Sequence, residues 1–141
     1  MIKKTSKDGY ETIRKLEVKI FPEHPWSLKQ IESHHEKNNS YLYYLDYMPI
    51  AYILFLENVY EMEVLRFGVL ENFRGKGFAT KLFADFLKKH PGKDIFLEVS
   101  EVNIPAISFY EKYDFEEIGE RKNYYTDGSS GILMKRSFNN R

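Results

Sequence analysis

The sequence predicts an α/β fold in a single domain spanning residues 1–141, with elements in the order ααβββαβαββ. Three observations carry that reading. A chain of 141 residues is one domain's worth of protein. Its 43% hydrophobic and 16% aromatic content is enough to fill a core. The apolar period also changes along the chain, from short strand-type runs in the middle to helical spacing after Gly77, and back to strand-type residues beyond Gly92.

Asp8-Gly9 precedes Tyr10, Ile13, Leu16, Val18 and Ile20, a helical spacing that Pro22 and Pro25 end. Ser27 is placed to cap a short second helix carrying Leu28 and Ile31, before the Asn38-Asn39-Ser40 turn. Residues 41–46, 50–56 and 61–69 read as three strands of an antiparallel meander, with breaks at Met48-Pro49 and Asn58-Val59. Phe78, Leu82, Phe83, Phe86 and Leu87 then recur at helical spacing until Pro91-Gly92. Residues 95–99 form a strand, 105–113 a helix, 116–120 a strand, and 131–137 a last strand beyond the Asp127-Gly128 turn.

Composition excludes several functions. Lys plus Arg and Asp plus Glu each number 21, so no global field draws a nucleic acid or an anionic membrane to the protein. There is no cysteine, which removes disulfides, thiolate metal sites and an acyl-cysteine intermediate together. Residues 1–10 lack the apolar stretch of a secretory signal, and the apolar run 50–56 is far short of the ~20 residues a spanning helix needs. A cytoplasmic protein is expected. His34 and His35 are adjacent, so on a helix they point about 100° apart and cannot share a metal as an i, i+4 pair does; a solvated helix end is expected there and no metal.

Arg74-Gly75-Lys76-Gly77-Phe78-Ala79 lies between a strand and a helix, where successive backbone N–H groups can receive a phosphate. No Gly-Lys-Ser/Thr triplet makes it a Walker loop, and Thr80 stands where the dinucleotide fingerprint needs a third small residue. Residues 72–93 carry six cations (Arg74, Lys76, Lys81, Lys88, Lys89, Lys93) against Asp85, a positive patch suited to a small polyphosphate. Taken alone, the same segment is equally a tight turn followed by a solvated lysine face.

The context resolves this. Phe67-Gly68-Val69 ending a strand, then Arg74-x-x-Gly77-x-Ala79 opening a helix, resembles the acetyl-CoA pyrophosphate motif of the GNAT N-acetyltransferases. Leu97-Glu98-Val99, Asn103, Ala106 and Phe109-Tyr110-Glu111-Lys112 before Phe115 resemble that superfamily's second CoA-binding segment. Pro25-Trp26-Ser27 and Arg121-Lys122-Asn123-Tyr124-Tyr125 with Asp127-Gly128 are similar to the RimI-type ribosomal-protein N-terminal alanine acetyltransferases. Two positions depart from the pattern. Leu70-Glu71 lacks a proline often found after the strand, and Asp114 replaces a glycine, although Asp tolerates a left-handed backbone.

The resemblance implies a mixed central sheet splayed at an acetyl-CoA site, with acetyl-CoA as co-substrate. Moving an acetyl group from a thioester to an amine requires a deprotonated amine, donors for the developing oxyanion and a proton for the leaving thiolate. By the same resemblance Glu98 is the base and Tyr110 the acid, a phenol of pKa roughly 10 being protonated at neutral pH. Phe67, Gly68 and Val69 hold the pantetheine and polarise the thioester carbonyl through their backbone. Arg74, Gly75, Lys76, Gly77, Phe78 and Ala79 take the pyrophosphate, Asn103 bonds the cofactor nearby, and Tyr124 and Tyr125 line the acceptor pocket. From the residues themselves, Glu98 reads first as a carboxylate on a half-exposed strand face and only second as a base. Tyr110 is one of 11 tyrosines, Asn103 a helix cap, and Tyr124-Tyr125 the packing of an edge strand.

The expected acceptor is a protein N-terminal amine, that of a ribosomal protein beginning with alanine, attacked directly in a ternary complex. The alternatives are a small amine such as a polyamine or amino sugar, and a regulatory module that binds CoA without turnover. Residues 21–65 hold seven acids (Glu23, Glu32, Glu36, Asp46, Glu57, Glu61, Glu63) against Lys29 and Lys37, which favours a cationic acceptor.

Overall fold

The computed structural model describes residues 1–138. Its strands are β1 (Ile2–Lys4), β2 (Asn39–Leu45), β3 (Met48–Glu57), β4 (Glu61–Val69), β5 (Asp94–Ser100), β6 (Glu116–Arg121) and β7 (Gly131–Arg136). Its helices are α1 (Tyr10–Ile20), α2 (Leu28–His34), α3 (Phe78–Lys89) and α4 (Ile104–Glu111). The strands form one mixed sheet in the order β1-β2-β3-β4-β5-β7-β6. β4 and β5 run parallel across the α3 crossover, while β5–β7 and β6–β7 are antiparallel. The β4–β5 ladder runs from Glu61↔Asp94 to Val64↔Leu97, although β4 continues to Val69 and β5 to Ser100.

The local signals act as the sequence requires. Gln30 N–H donates to Ser27 Oγ and Ser27 N–H to Gln30 Oε1, a reciprocal cap that starts α2. Asp114 takes φ 68°, the left-handed turn its short polar side chain tolerates. Two expectations are corrected. The chain begins with a strand, β1, whose residues pair with Tyr41, Leu42 and Tyr43 of β2; three residues, two of them lysines, carry no period to read. The β2–β3 turn falls at Asp46-Tyr47, both with positive φ, and not at Met48-Pro49, which pair with Leu45 and Tyr44. A register shift between Tyr43 and Tyr44 accommodates the irregular hairpin end where Pro49 lacks an N–H.

The chain forms two compact units. The first, residues 1–56 with 66–90, buries Ile13, Leu16, Ile31, Leu42, Tyr52 and Leu54 in one cluster. In the same unit Leu82, Phe83 and Phe86 of α3 are buried, with Phe55 and Phe86 ring centroids 5.1 Å apart. The second, residues 57–65 with 91–141, buries Met62, Val64, Ile95, Leu97, Val99, Phe115, Ile132 and Met134.

Candidate active site

The glycine turn is built for close approach. Gly75 and Gly77 have φ of 75° and 88°, and a Cβ on either would meet nothing within 4 Å, so the backbone here faces open space. Gly77 caps α3 without any side chain accepting from the first turn, and the first bond of the helix is Lys81 N–H to Gly77 O. The positive end of a 12-residue helix is thus uncovered by its own cap. That arrangement fits an anionic group of the pyrophosphate kind.

The positive patch is smaller than the sequence suggests. Arg74, Lys76 and Lys81 lie at this end, whereas Lys88 and Lys89 end the helix, about 18 Å away at 1.5 Å per residue. Lys89 pairs with Asp85 at 2.7 Å, and Lys93 with Glu57 at 2.9 Å. A run of cations on a helix is divided between its two ends, so three of the six flank the turn.

Phe67, Gly68 and Val69 end β4. Arg74 Nε donates to the Val69 carbonyl at 2.9 Å, tying this strand end to the glycine turn. A Cβ on Gly68 would stand 2.7 Å from Ile20 Cγ2, so Gly68 is where the C-terminus of α1 packs onto the strand. Beside it lies a network that sequence reasoning missed. The Glu17 carboxylate, wholly buried, accepts from Arg66 Nε at 3.1 Å, from an Arg66 Nη at 2.8 Å, from Trp26 N–H at 2.8 Å and from the Tyr52 hydroxyl. Burial, with Glu17 alongside, pushes the Tyr52 phenol upward, so it stays a donor. Arg66 also reaches the His24 carbonyl and Arg14 the Trp26 carbonyl, which fixes the loop between α1 and α2.

In the other unit, Glu98 lies on β5 opposite Leu133 of β7. Its Oε1 is 2.8 Å from Arg121 Nε, and its side chain is 19% exposed against 58% for that of Arg121. The Arg121 guanidinium also sits over the Tyr124 ring, 5.4 Å from its centroid. Tyr110 on α4 is 9% exposed and packs against Phe109 and Phe115. Burial raises its pKa above the ordinary phenol value. Asn103 caps α4, its side chain accepting from Ala106 N–H at 3.3 Å.

Tyr124 and Tyr125 stand in the loop between β6 and β7, not on an edge strand, with ring centroids 5.1 Å apart. That loop is closed by Tyr125 N–H to Ser129 O, by Asp127 accepting from Ser129, and by Ser130 N–H to a Glu101 carboxylate oxygen. Within this unit Arg121 therefore links Glu98 to Tyr124. Arg121 was visible only as part of a motif, because nothing in a β-strand sequence announces its cross-sheet partner.

The two adjacent histidines correct the expectation of a solvated helix end. His34 is 8% exposed, with Nε2 2.9 Å from the Asn39 carbonyl, and His35 bridges the Ile31 carbonyl and Ser40 Oγ. Their place is structural, joining α2 to β2. Among the described residues no three His, Asp or Glu side chains are grouped as a metal site, and no helix is long and apolar enough to cross a membrane.

Comparison with known proteins identifies the family and the fold. The profile of the acetyltransferase (GNAT) family matches residues 8–115. An N-alpha-acetyltransferase of Saccharolobus solfataricus is 40% identical over 77 residues, 52% of this chain and 46% of the relative. The chain thus matches about half the length of that curated relative. The ribosomal-protein-S18-alanine N-acetyltransferase of Escherichia coli superposes with a TM-score of 0.88 at 24% identity, over 96% of this chain and 92% of that one. Arabidopsis thaliana Naa50, solved in complex with the bisubstrate analogue CoA-Ac-MVNAL, superposes with a TM-score of 0.81 at 21% identity, over 98% of each chain.

Proposed function

Because this chain belongs to the acetyltransferase (GNAT) family, we propose that residues 1–141 act as one N-alpha-acetyltransferase domain, moving an acetyl group from acetyl-CoA to a protein N-terminal amine. The observation that carries the donor side is the uncovered N-terminus of α3 beneath two left-handed glycines. Arg74, Gly75, Lys76, Gly77, Phe78 and Ala79 would hold the pyrophosphate, with Phe67, Gly68 and Val69 offering backbone groups to the pantetheine and Asn103 bonding the cofactor. Bound acetyl-CoA supplies the thioester. Glu98 accepts a proton from the acceptor ammonium, so that the free amine can form the new C–N bond as the C–S bond breaks. Tyr110 gives its proton to the sulfur that leaves. Direct attack in a ternary complex is consistent with a chain that has no cysteine to carry the acyl group.

The acceptor in this reading is a ribosomal-protein N-terminus beginning with alanine, met in the cytoplasm, with Tyr124 and Tyr125 lining its site. The archaeal N-alpha-acetyltransferase supports an N-terminal amine as acceptor, and the resemblance in fold to the Escherichia coli ribosomal-protein-S18-alanine N-acetyltransferase favours an alanine of a ribosomal protein. The test is to incubate the protein with radiolabelled acetyl-CoA and a panel of N-terminal peptides, polyamines and amino sugars. Label on an alanyl peptide amine is the expected result. Label on a small amine alone would move the assignment to that substrate class, and binding of acetyl-CoA without any transfer would make the protein a CoA-binding module.

A further inference from the structure

Glu98 is held from two sides by residues that have no place in the chemistry above. On one side, Arg121 Nε meets Oε1 at 2.8 Å. On the other, a Cβ built on Gly131 would stand 2.8 Å from Oε2, 3.0 Å from Cδ and 3.2 Å from Cγ. Any side chain at position 131 would therefore displace the carboxylate. Gly131 and Leu133 face the same side of β7, and Leu133 is the cross-strand partner of Glu98, so the Glu98 side chain lies along β7 into the gap left by the glycine. Gly131 is in ordinary extended backbone, without a positive φ. It is not needed there for a turn.

We propose that Arg121 and Gly131 are positioning residues for the base: Arg121 takes Oε1, Gly131 leaves room for Oε2, and together they present one oxygen of Glu98 to the acceptor amine. This rests on Glu98 being the base. A carboxylate on a strand otherwise has three rotatable bonds and wanders, and proton transfer needs the oxygen held within hydrogen-bond reach of the amine. The ring of Tyr124 under the Arg121 guanidinium steadies the second member of the pair.

Gly131→Ala separates position from folding. The atoms an added methyl meets are the end of a flexible side chain, and an extended position accepts alanine, so the variant should fold with an unfolding midpoint close to that of the parent. With acetyl-CoA and an alanyl peptide, Gly131→Ala and Arg121→Gln should each lower kcat by at least about tenfold while KM for acetyl-CoA stays within about twofold. In a Glu98→Gln background the same two substitutions should cost nothing further. The carboxyl 13C resonance of Glu98, assigned by its loss in Glu98→Gln, should shift in both variants without any substrate present. Loss of turnover in Glu98→Gln with none in Arg121→Gln and Gly131→Ala overturns the positioning and leaves the base in place, as does a carboxyl resonance that does not move. Full turnover in Glu98→Gln overturns both.

Discussion

Tyr110 is nearly enclosed, with Phe109 and Phe115 against its ring, and burial raises its pKa beyond that of a free phenol. Desolvation disfavours the phenolate, so the hydroxyl keeps its proton throughout the neutral range. That suits a group which must give its proton only when sulfur has taken up negative charge. Tyr110→Phe keeps the ring and the packing and removes the one proton. If Tyr110 is the acid, kcat should fall about a hundredfold while acetyl-CoA affinity stays within about twofold, since the interaction is made in the transition state. Single-turnover kinetics together with calorimetric binding would read both quantities. Equal kcat for the two proteins, with chemistry limiting, would return Tyr110 to the core.

At the scale of elements, α3 and α2 each meet a strand through a device that can be broken by one change. Gly77 has φ 88° and open space around it, so Gly77→Val adds no clash and acts only through the backbone, where a β-branched residue in the left-handed region costs roughly 1–3 kcal/mol. The turn should rearrange and acetyl-CoA affinity fall by at least about tenfold, measured by calorimetry on a variant whose circular dichroism matches the parent. Unaltered binding would place the cofactor elsewhere.

The α2–β2 junction has a pH signature. His34 Nε2 serves the Asn39 carbonyl, Nδ1 is buried without a partner among the described residues, and burial lowers the pKa of both His34 and His35. The unfolded chain then binds protons that the folded one refuses. Stability is therefore constant above the unfolded value of about 6.5 and declines as pH falls from there toward the lower folded values. The urea midpoint should drop between about pH 7 and pH 5.5, and His34→Gln should flatten that slope. His35 should keep a smaller part of the slope, and a slope left undiminished by the substitution would assign it to other groups.

Over the whole molecule the net charge is zero, yet its distribution is uneven. Of the seven acids in residues 21–65, Glu57 is paired with Lys93, and the other six are exposed. Opposing them are Lys29 and Lys37. Exposed acids attract a cation at a distance, an attraction that salt screens within about 10 Å at 0.1 M, and the proposed peptide acceptor tests whether they do so here. An alanyl peptide followed by basic residues should accordingly show a higher kcat/KM than its acidic counterpart, with the advantage shrinking as ionic strength rises. Preference for the acidic peptide, or no response to salt, would exclude electrostatic steering.

What the sequence determined by itself was local. The Ser27–Gln30 cap, the glycines before α3, the proline after it and the turn at Asp114 depend on residues within a few positions of one another, so their chemistry can be read in order along the chain. The motifs around the glycine turn, Glu98 and Tyr110 were legible for the same reason, being short runs of residues close together in sequence. Tertiary structure alone decided the partners. Arg66 and Glu17 are 49 residues apart, and a buried ion pair has no signature in either local sequence. Arg121 and Gly131 meet Glu98 only because β5, β6 and β7 share a sheet whose register puts one side chain beside the absence of another. β1 escaped for a related reason, since three residues with two lysines become a strand only when β2 offers them a ladder. Propensity and period act between neighbours in sequence, whereas ion pairs, close approaches and strand pairing act between neighbours in space.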